Sequence, residues 1–249
     1  MSAASRRVSL EPAFLLHHYP WRDSSRILEL LTRDHGRYTV FARAARRSSS
    51  GWASALQPFT GLLVSWSGRG EAGQLTAVER SEPPRQLAGD RLMSGFYANE
   101  LLIRLLARGD AQPEIYQEYQ QLLLALGDPT TEMSRPLRLF EKRLLEHLGW
   151  GLSLGQDAPD GAPLDPGCSY RYRLDGGAER LDGVAEGSLV FSGASLVSLA
   201  REELRDQRSL ADARRLLRAA LDQALEGRAL RTRDVLLAMR LHGDVAEGG

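Results

Sequence analysis

The residues whose types and spacing best suit chemistry are arginines gathered near the start of the chain: Arg22, Arg26, Arg37, Arg43, Arg46 and Arg47. A guanidinium fork matches phosphate oxygens in pairs, so such a group points to holding a polyanion rather than to making bonds. Arg46-Arg47-Ser48-Ser49-Ser50-Gly51 is too polar to bury, and its arginines and hydroxyls suit phosphate. The alternative is a solvated surface loop. Tyr19, Trp21, Tyr38, Phe41 and Trp52 lie in the same region and could stack on bases. Trp52, beside the basic loop, is the preferred stacking candidate, with packing against a core as its alternative. Tyr38 and Phe41 have opposite parity, so on a regular strand only one of them faces inward.

Catalytic and metal chemistry find little support. His17, His18, His35, His147 and His242 show no HExxH spacing, and neither a GxSxG elbow nor a GxxxxGKS phosphate loop occurs. No acidic cluster resembles a two-metal nuclease, and Gly68-Arg69-Gly70 reads as a turn because no strand-to-helix context surrounds it. Cys168 is the single cysteine, which forms no internal disulfide and supplies no four-ligand zinc site. The reading is of a non-enzyme without metal or cofactor in a reducing, cytoplasmic compartment. No apolar run reaches about 18 residues, and the first ten residues lack the pattern of a signal peptide.

Formal net charge is zero over 249 residues, but its distribution is uneven. Up to Arg80 there are eleven arginines against six carboxylates, a net of +5, and the remainder carries the opposite balance. A basic head of this kind is the footprint of phosphate binding, since each neutralised phosphate releases a counterion. Lys142 is the only lysine, a bias to which we attach no functional weight.

The elements that must position these residues follow from periodicity. Ala13 to His17, Ile27 to Leu31, Arg37 to Ala42, Leu62 to Trp66 and Gln74 to Val78 are short β-rich runs, which predicts five strands. Arg33-Asp34-His35-Gly36 predicts a hairpin between strands two and three, with Gly36 taking a positive φ. Five strands in about 70 residues match the size of an oligonucleotide-binding (OB) barrel, whose second and third strands commonly carry nucleic acid.

Beyond Ser81-Glu82-Pro83-Pro84 the pattern changes to period 3.6, dividing the chain into a barrel domain at 1–80 and a helical domain at 81–249. A first helix is expected to bury Leu92, Phe96, Asn99, Leu102, Ile103 and Leu106, and a second Ile115, Tyr119, Leu122, Leu123 and Leu126. In a third, starting at Pro136 and stopped by Gly149, the stripe is Leu137, Phe140, Leu144, Leu145 and Leu148. Residues 155–193, rich in Gly, Pro and Asp, read as an irregular excursion with β-like pieces at Ser169 to Leu174 and Ser188 to Phe191. Helical patterns return at Ser195 to Glu203, Leu210 to Leu225 and Thr232 to Leu241. The fold class is therefore α+β, an OB barrel followed by helices.

Five stretches, in order, resemble the RecO family of bacterial recombination mediators. They are Leu56-Gln57-Pro58-Phe59-Thr60; Gly68-Arg69-Gly70-Glu71; Tyr97-Ala98-Asn99-Glu100-Leu101-Leu102; Phe140-Glu141 with His147-Leu148-Gly149-Trp150-Gly151; and Gly227-Arg228-Ala229-Leu230-Arg231-Thr232-Arg233. The resemblance implies an OB barrel followed by a helical domain. It also implies binding of single- and double-stranded DNA, annealing of complementary strands, and action with RecR to load RecA onto DNA coated by single-stranded-DNA-binding protein. The acidic C-terminal tail of that coat protein would enter an apolar pocket of the helical domain. Arg138 is the candidate contact for its carboxylate, with Arg143, Leu137 and Phe140 behind it; their alternatives are surface charge and core. Many members hold zinc through four cysteines in the excursion, so this chain, with Cys168 alone, resembles the zinc-free branch. Competing readings are a protein-binding scaffold that never touches DNA, and a DNA-processing enzyme.

Overall fold

The computed structural model describes residues 6–21, 25–43, 52–69, 72–182 and 187–235. The chain divides into two compact units, residues 1–127 with 230–249, and residues 128–229.

The first unit opens with β1 (Arg6–Trp21), β2 (Ser25–Thr32) and β3 (Gly36–Ala42), then α1 (Trp52–Ala55), β4 (Gly61–Arg69) and β5 (Ala72–Arg80). The strands close into a barrel in the order β1-β2-β3-β5-β4, antiparallel except where β3 meets β5. Closure demands strong bending, and β1 supplies it through register shifts between Val8 and Glu11 and between Leu15 and His17. Leu10, inside the first shift, takes φ 51° and donates its N–H to Ser65 Oγ at 3.0 Å. Val8, Ala13, Leu15, Leu28, Leu30, Val40, Ala42, Leu62, Val64, Trp66 and Leu75 fill the interior, capped by Leu56 next to α1.

The β2–β3 hairpin turns as its sequence predicts. Gly36 has φ +65°, and a Cβ there would lie 1.9 Å from the carbonyl oxygen of Asp110, so glycine is required twice over. Thr32 Oγ1 donates to the Gly36 carbonyl at 2.7 Å, and the Asp34 N–H donates to Glu11 Oε1 at 2.6 Å, tying the turn to β1.

Two helices follow in this unit, α2 (Gly89–Leu105) and α3 (Pro113–Gly127). They cover residues of β1 that face away from the barrel interior: Phe14 packs at 5.1 Å from Tyr116 and 5.2 Å from Tyr119. Asn99 Nδ2 donates to the Leu16 carbonyl at 2.9 Å while Asn99 Oδ1 accepts from the Tyr119 hydroxyl, so this second core satisfies its buried polar atoms. The expected α2 stripe holds at Asn99, Leu102 and Leu106, which are buried, and is corrected elsewhere: Tyr97, Ala98 and Leu101 are buried too, Leu92 and Ile103 are half-buried, and Phe96 is exposed at its edge against Phe59. Small residues at Ser94, Gly95 and Ala98 let the helix approach closely, and a Cβ on Gly95 would strike the Phe59 ring at 2.7 Å. On α3, Ile115, Tyr119, Leu122, Leu123 and Leu126 are all buried, as their spacing predicts.

The second unit holds α4 (Ser134–His147), β6 (Ser169–Arg173), β7 (Gly177–Arg180), β8 (Val190–Ser192), α5 (Gly193–Ala200) and α6 (Gln207–Ala224). Helix α6 packs against α4 and α5, burying Leu216, Leu217 and Leu221, with Phe140, Leu144 and Leu145 buried on α4. Leu137 and Leu148, expected in the α4 stripe, are half-buried, while Arg138, Glu141 and Lys142 are buried. The excursion contains an ordered antiparallel sheet, β7-β6-β8, whose Tyr170, Tyr172, Ala178 and Phe191 are buried. Strand β7 had no apolar alternation to announce it; Asp157 accepts the Arg180 N–H at 3.3 Å and helps set its place.

Candidate nucleic-acid interface

The candidate surface lies at the free ends of β1, β2 and β3. Register places Tyr19 opposite Ile27 and Ile27 opposite Phe41, with Trp21 opposite Ser25, so these side chains share the barrel's outer face. Tyr19, Trp21 and Phe41 are 45%, 46% and 37% exposed, high values for such rings. Trp21 and Phe41 lie 6.4 Å apart between centroids, and His17 meets the Tyr19 ring edge-on at 4.5 Å. Gln74 Nε2 of β5 donates to the Phe41 carbonyl at 2.7 Å and steadies the end of β3.

Charge surrounds these rings. Arg26, on β2 between Pro20 and Ala42, is half-buried, and Arg43 is exposed just beyond β3. His18 is driven below its ordinary pKa first by burial, then by the positive charge of Arg26, then by His17. Arg26 and His17 thus add to burial in disfavouring a charged His18. Arg22, Arg46 and Arg47 lie outside the described residues; in the chain, Arg22 directly follows Trp21.

Two other sequence candidates are placed differently. Arg37 is only 15% exposed: its Nε donates to the Leu106 carbonyl at 3.1 Å and its guanidinium lies 3.6 Å from buried Glu29. Glu29 also takes Arg108 at 2.6 Å and the Thr39 hydroxyl at 3.1 Å, so Arg37 and Arg108 fasten the end of α2 to the barrel wall. Burial holds the Arg37 pKa below its ordinary value against the pull of Glu29. Trp52 opens α1 half-buried and packs against the barrel interior, and Tyr38 stacks on Trp66 at 5.0 Å. Of the aromatic candidates, Tyr19, Trp21 and Phe41 are the ones brought together at the surface.

In the second unit, Arg138 is 10% exposed and bound to Glu141 at 2.9 Å, so it does not stand free over an apolar cleft. Arg143 is 34% exposed and grips Glu202 through Nε at 3.1 Å, with Lys142 on the same carboxylate at 3.0 Å. Leu137 is half-buried and Phe140 buried. The Glu202 carboxyl is held down at about 2 by the Arg143 hydrogen bonds, with Lys142 adding to them against the cost of burial.

Sequence reasoning missed Glu100. Its carboxylate accepts the N–H groups of Arg231 and Thr232, both at 2.9 Å, and the Thr232 hydroxyl at 2.8 Å, while Arg104 approaches at 3.3 Å. It thus caps a helical turn starting at residue 231, and Arg233 lies over the Tyr97 ring at 5.9 Å. Two of the sequence landmarks, Tyr97 to Leu102 and Gly227 to Arg233, meet in this contact.

Among the described residues no group of three or more His, Cys, Asp or Glu converges on a common point, and no helix is long and apolar enough to cross a membrane. Cys168 donates to Asp165 at 3.3 Å, and that hydrogen bond first of all raises its thiol pKa. One thiol does not fit a four-thiolate zinc site.

A closed five-stranded barrel with a helix between its third and fourth strands, followed by helices and a small sheet, defines an OB-fold protein with an appended helical region. Within that class the family is shown by sequence. The model described as "Recombination protein O N terminal" matches residues 7–84, and "Recombination protein O C terminal" matches residues 86–234. The chain belongs to the recombination protein O family. It is 45% identical to the DNA repair protein RecO of Alkalilimnicola ehrlichii, over 91% of this chain and 90% of that protein. It is 42% identical to that of Coxiella burnetii (93% and 99%) and 38% identical to that of Aromatoleum aromaticum (93% and 96%). The two family matches divide at residues 84–86, whereas the first compact unit continues through α2 and α3.

Proposed function

We propose that this protein is a non-enzymatic mediator of DNA repair by recombination, whose barrel holds DNA strands without regard to base order. One observation carries the reading: Tyr19, Trp21 and Phe41 stand exposed on the β1–β3 face of an OB barrel, beside Arg26 and Arg43. Arginines attract the phosphate backbone and exposed rings stack on unpaired bases, each stack contributing about 1–3 kcal/mol. Arg22, Arg46, Arg47 and the neighbouring hydroxyls are further phosphate ligands in our reading, on residue type and sequence alone, and Trp52 packs against the barrel core. Arg37 acts through Glu29 by holding the wall on which the surface stands.

Family membership supports the further steps: annealing of complementary strands, partnership with RecR, capture of the coat protein's tail, and loading of RecA on the nucleoid of the cytoplasm. For the tail, Arg143 and Leu137 present accessible atoms, and Arg138 and Phe140 lie behind them. Carboxylate binding there would exchange Glu202 for the incoming anion on Arg143.

The test is a double substitution, Trp21→Leu with Phe41→Leu. Removing both rings should weaken single-stranded DNA binding by at least tenfold in an anisotropy titration, with a smaller effect on duplex, whose bases are already stacked. Equal affinity of variant and parent for single strands would refute the stacking surface.

A further inference from the structure

Helix α6 carries a basic stripe that the barrel does not explain. Between residues 201 and 218 there are six arginines: Arg201, Arg205, Arg208, Arg214, Arg215 and Arg218. All six are exposed, in a chain whose second half is acidic overall. The four carboxylates of the same stretch do little to neutralise them. Glu202 is held by Lys142 and Arg143, Asp206 caps the helix by accepting the Ser209 N–H at 2.8 Å, Asp212 pairs with Arg215 at 3.1 Å, and Glu203 is half-buried; beyond the stretch, Asp222 approaches Arg218 at 4.0 Å and offsets one of the six.

Helical spacing makes the stripe continuous. At about 100° per residue, Arg208, Arg214, Arg215 and Arg218 fall within an arc of about 120°. Ser209, Ala213, Leu216, Leu217, Ala220, Leu221 and Ala224 occupy the opposite, buried side. From Arg208 to Arg218 the stripe runs about 15 Å along the axis, and Arg205 and Arg201 stand exposed in the segment before the helix. The helix dipole adds positive potential at that end. Arg215 is fixed, with its guanidinium 4.7 Å over the Phe191 ring and a hydrogen bond to the Val190 carbonyl at 2.7 Å.

We infer that the exposed arginine stripe of α6 and the turn before it is a second phosphate-backbone surface, which gives the chain two strand-binding faces, one in each compact unit. The stripe is long, and Phe191, the ring beneath Arg215, is 3% exposed. That chemistry fits a repeating polyanion better than an acidic peptide, whose capture calls for an apolar pocket beside the charge. A protein with two such faces holds two strands at once, as bringing complementary strands together requires.

The test uses the full chain and an oligothymidylate of about eight nucleotides, short enough to occupy one face. Stoichiometric titration at low salt compares the parent, Arg205→Gln/Arg208→Gln/Arg218→Gln, and a barrel variant, Arg26→Ser/Arg43→Ser, each checked for an unchanged melting temperature. The parent should bind two equivalents, the α6 variant one, and the barrel variant two of which one is weakened. Loss of all binding in the α6 variant, with the barrel variant unaffected, would keep the α6 surface and remove the barrel assignment. Parental stoichiometry and affinity in the α6 variant would overturn the inference and leave the barrel standing. An acidic octapeptide of alternating Asp and Glu serves as the other arm. If the α6 substitutions abolish peptide binding and spare the oligonucleotide, the stripe is a protein-docking surface and the inference fails.

Discussion

Replacing Glu202 by Gln tests whether the charges on α4 are part of the fold. Glu202 sits in the turn after α5 with φ 57° and binds Lys142 and Arg143, while Arg135 donates to its carbonyl at 2.8 Å. Its carboxyl is lowered from an ordinary 4.5 to about 2. At about 1.4 kcal/mol per pH unit this corresponds to about 3.5 kcal/mol. A quarter of the side chain is exposed, so screening by water reduces the expectation to about 1–2 kcal/mol. Because the folded pKa is depressed, the contribution is complete above about pH 4.5 and disappears as pH falls toward 2. Urea unfolding of parent and Glu202→Gln at pH 7, then in steps to pH 3, should show the variant less stable at neutral pH and the gap narrowing in acid. A gap under about 0.3 kcal/mol at pH 7, or one that persists unchanged at pH 3, would refute the argument.

Gly36→Ala should lower the melting temperature by more than about 4 °C in calorimetry, since the substitution forces alanine into a positive φ and against the Asp110 carbonyl. Glu100→Ala removes the acceptor of four hydrogen bonds, three of them from residues 231 and 232, and we expect a loss of about 1–2 kcal/mol with faster amide exchange at Arg231 and Thr232. For Glu100 burial is the largest influence and acts upward, yet the N–H groups of Thr232 and Arg231 outweigh it and its pKa is lowered. The contact should therefore weaken as pH falls below about 4.5, with exchange at Thr232 reporting it.

The five strands were legible as short apolar runs bounded by turn residues, even where both faces are buried, as on β1 and β2, and the α3 face was legible because its period of 3.6 is regular. Helix α2 was less so. It offers buried residues over a wide arc, among them Ser94, Gly95 and Ala98, whose small size matters more than their hydrophobicity. The parallel pairing of β3 with β5 leaves no local signal, since it joins segments on either side of β4. Charged residues were the hardest to place. Arg37 and Arg138 look like surface groups until Glu29 and Glu141 are seen beside them, and the Glu29 cluster draws Arg108 from the far end of α2. Exposure separated the aromatic candidates: Trp52 and Tyr38 pack on the core, whereas Tyr19, Trp21 and Phe41 remain at the surface. Opposite parity on β3 predicts that Tyr38 and Phe41 part in this way.

The most direct measurement of the barrel's role is the salt dependence of single-stranded DNA binding in the parent and in Arg26→Ser/Arg43→Ser. Each lost phosphate contact should reduce the slope of log affinity against log salt by about 0.7, hence by about 1.4 for the pair, with weakening alike for every base sequence. An unchanged slope, or a loss confined to particular sequences, would contradict phosphate capture by the β1–β3 face.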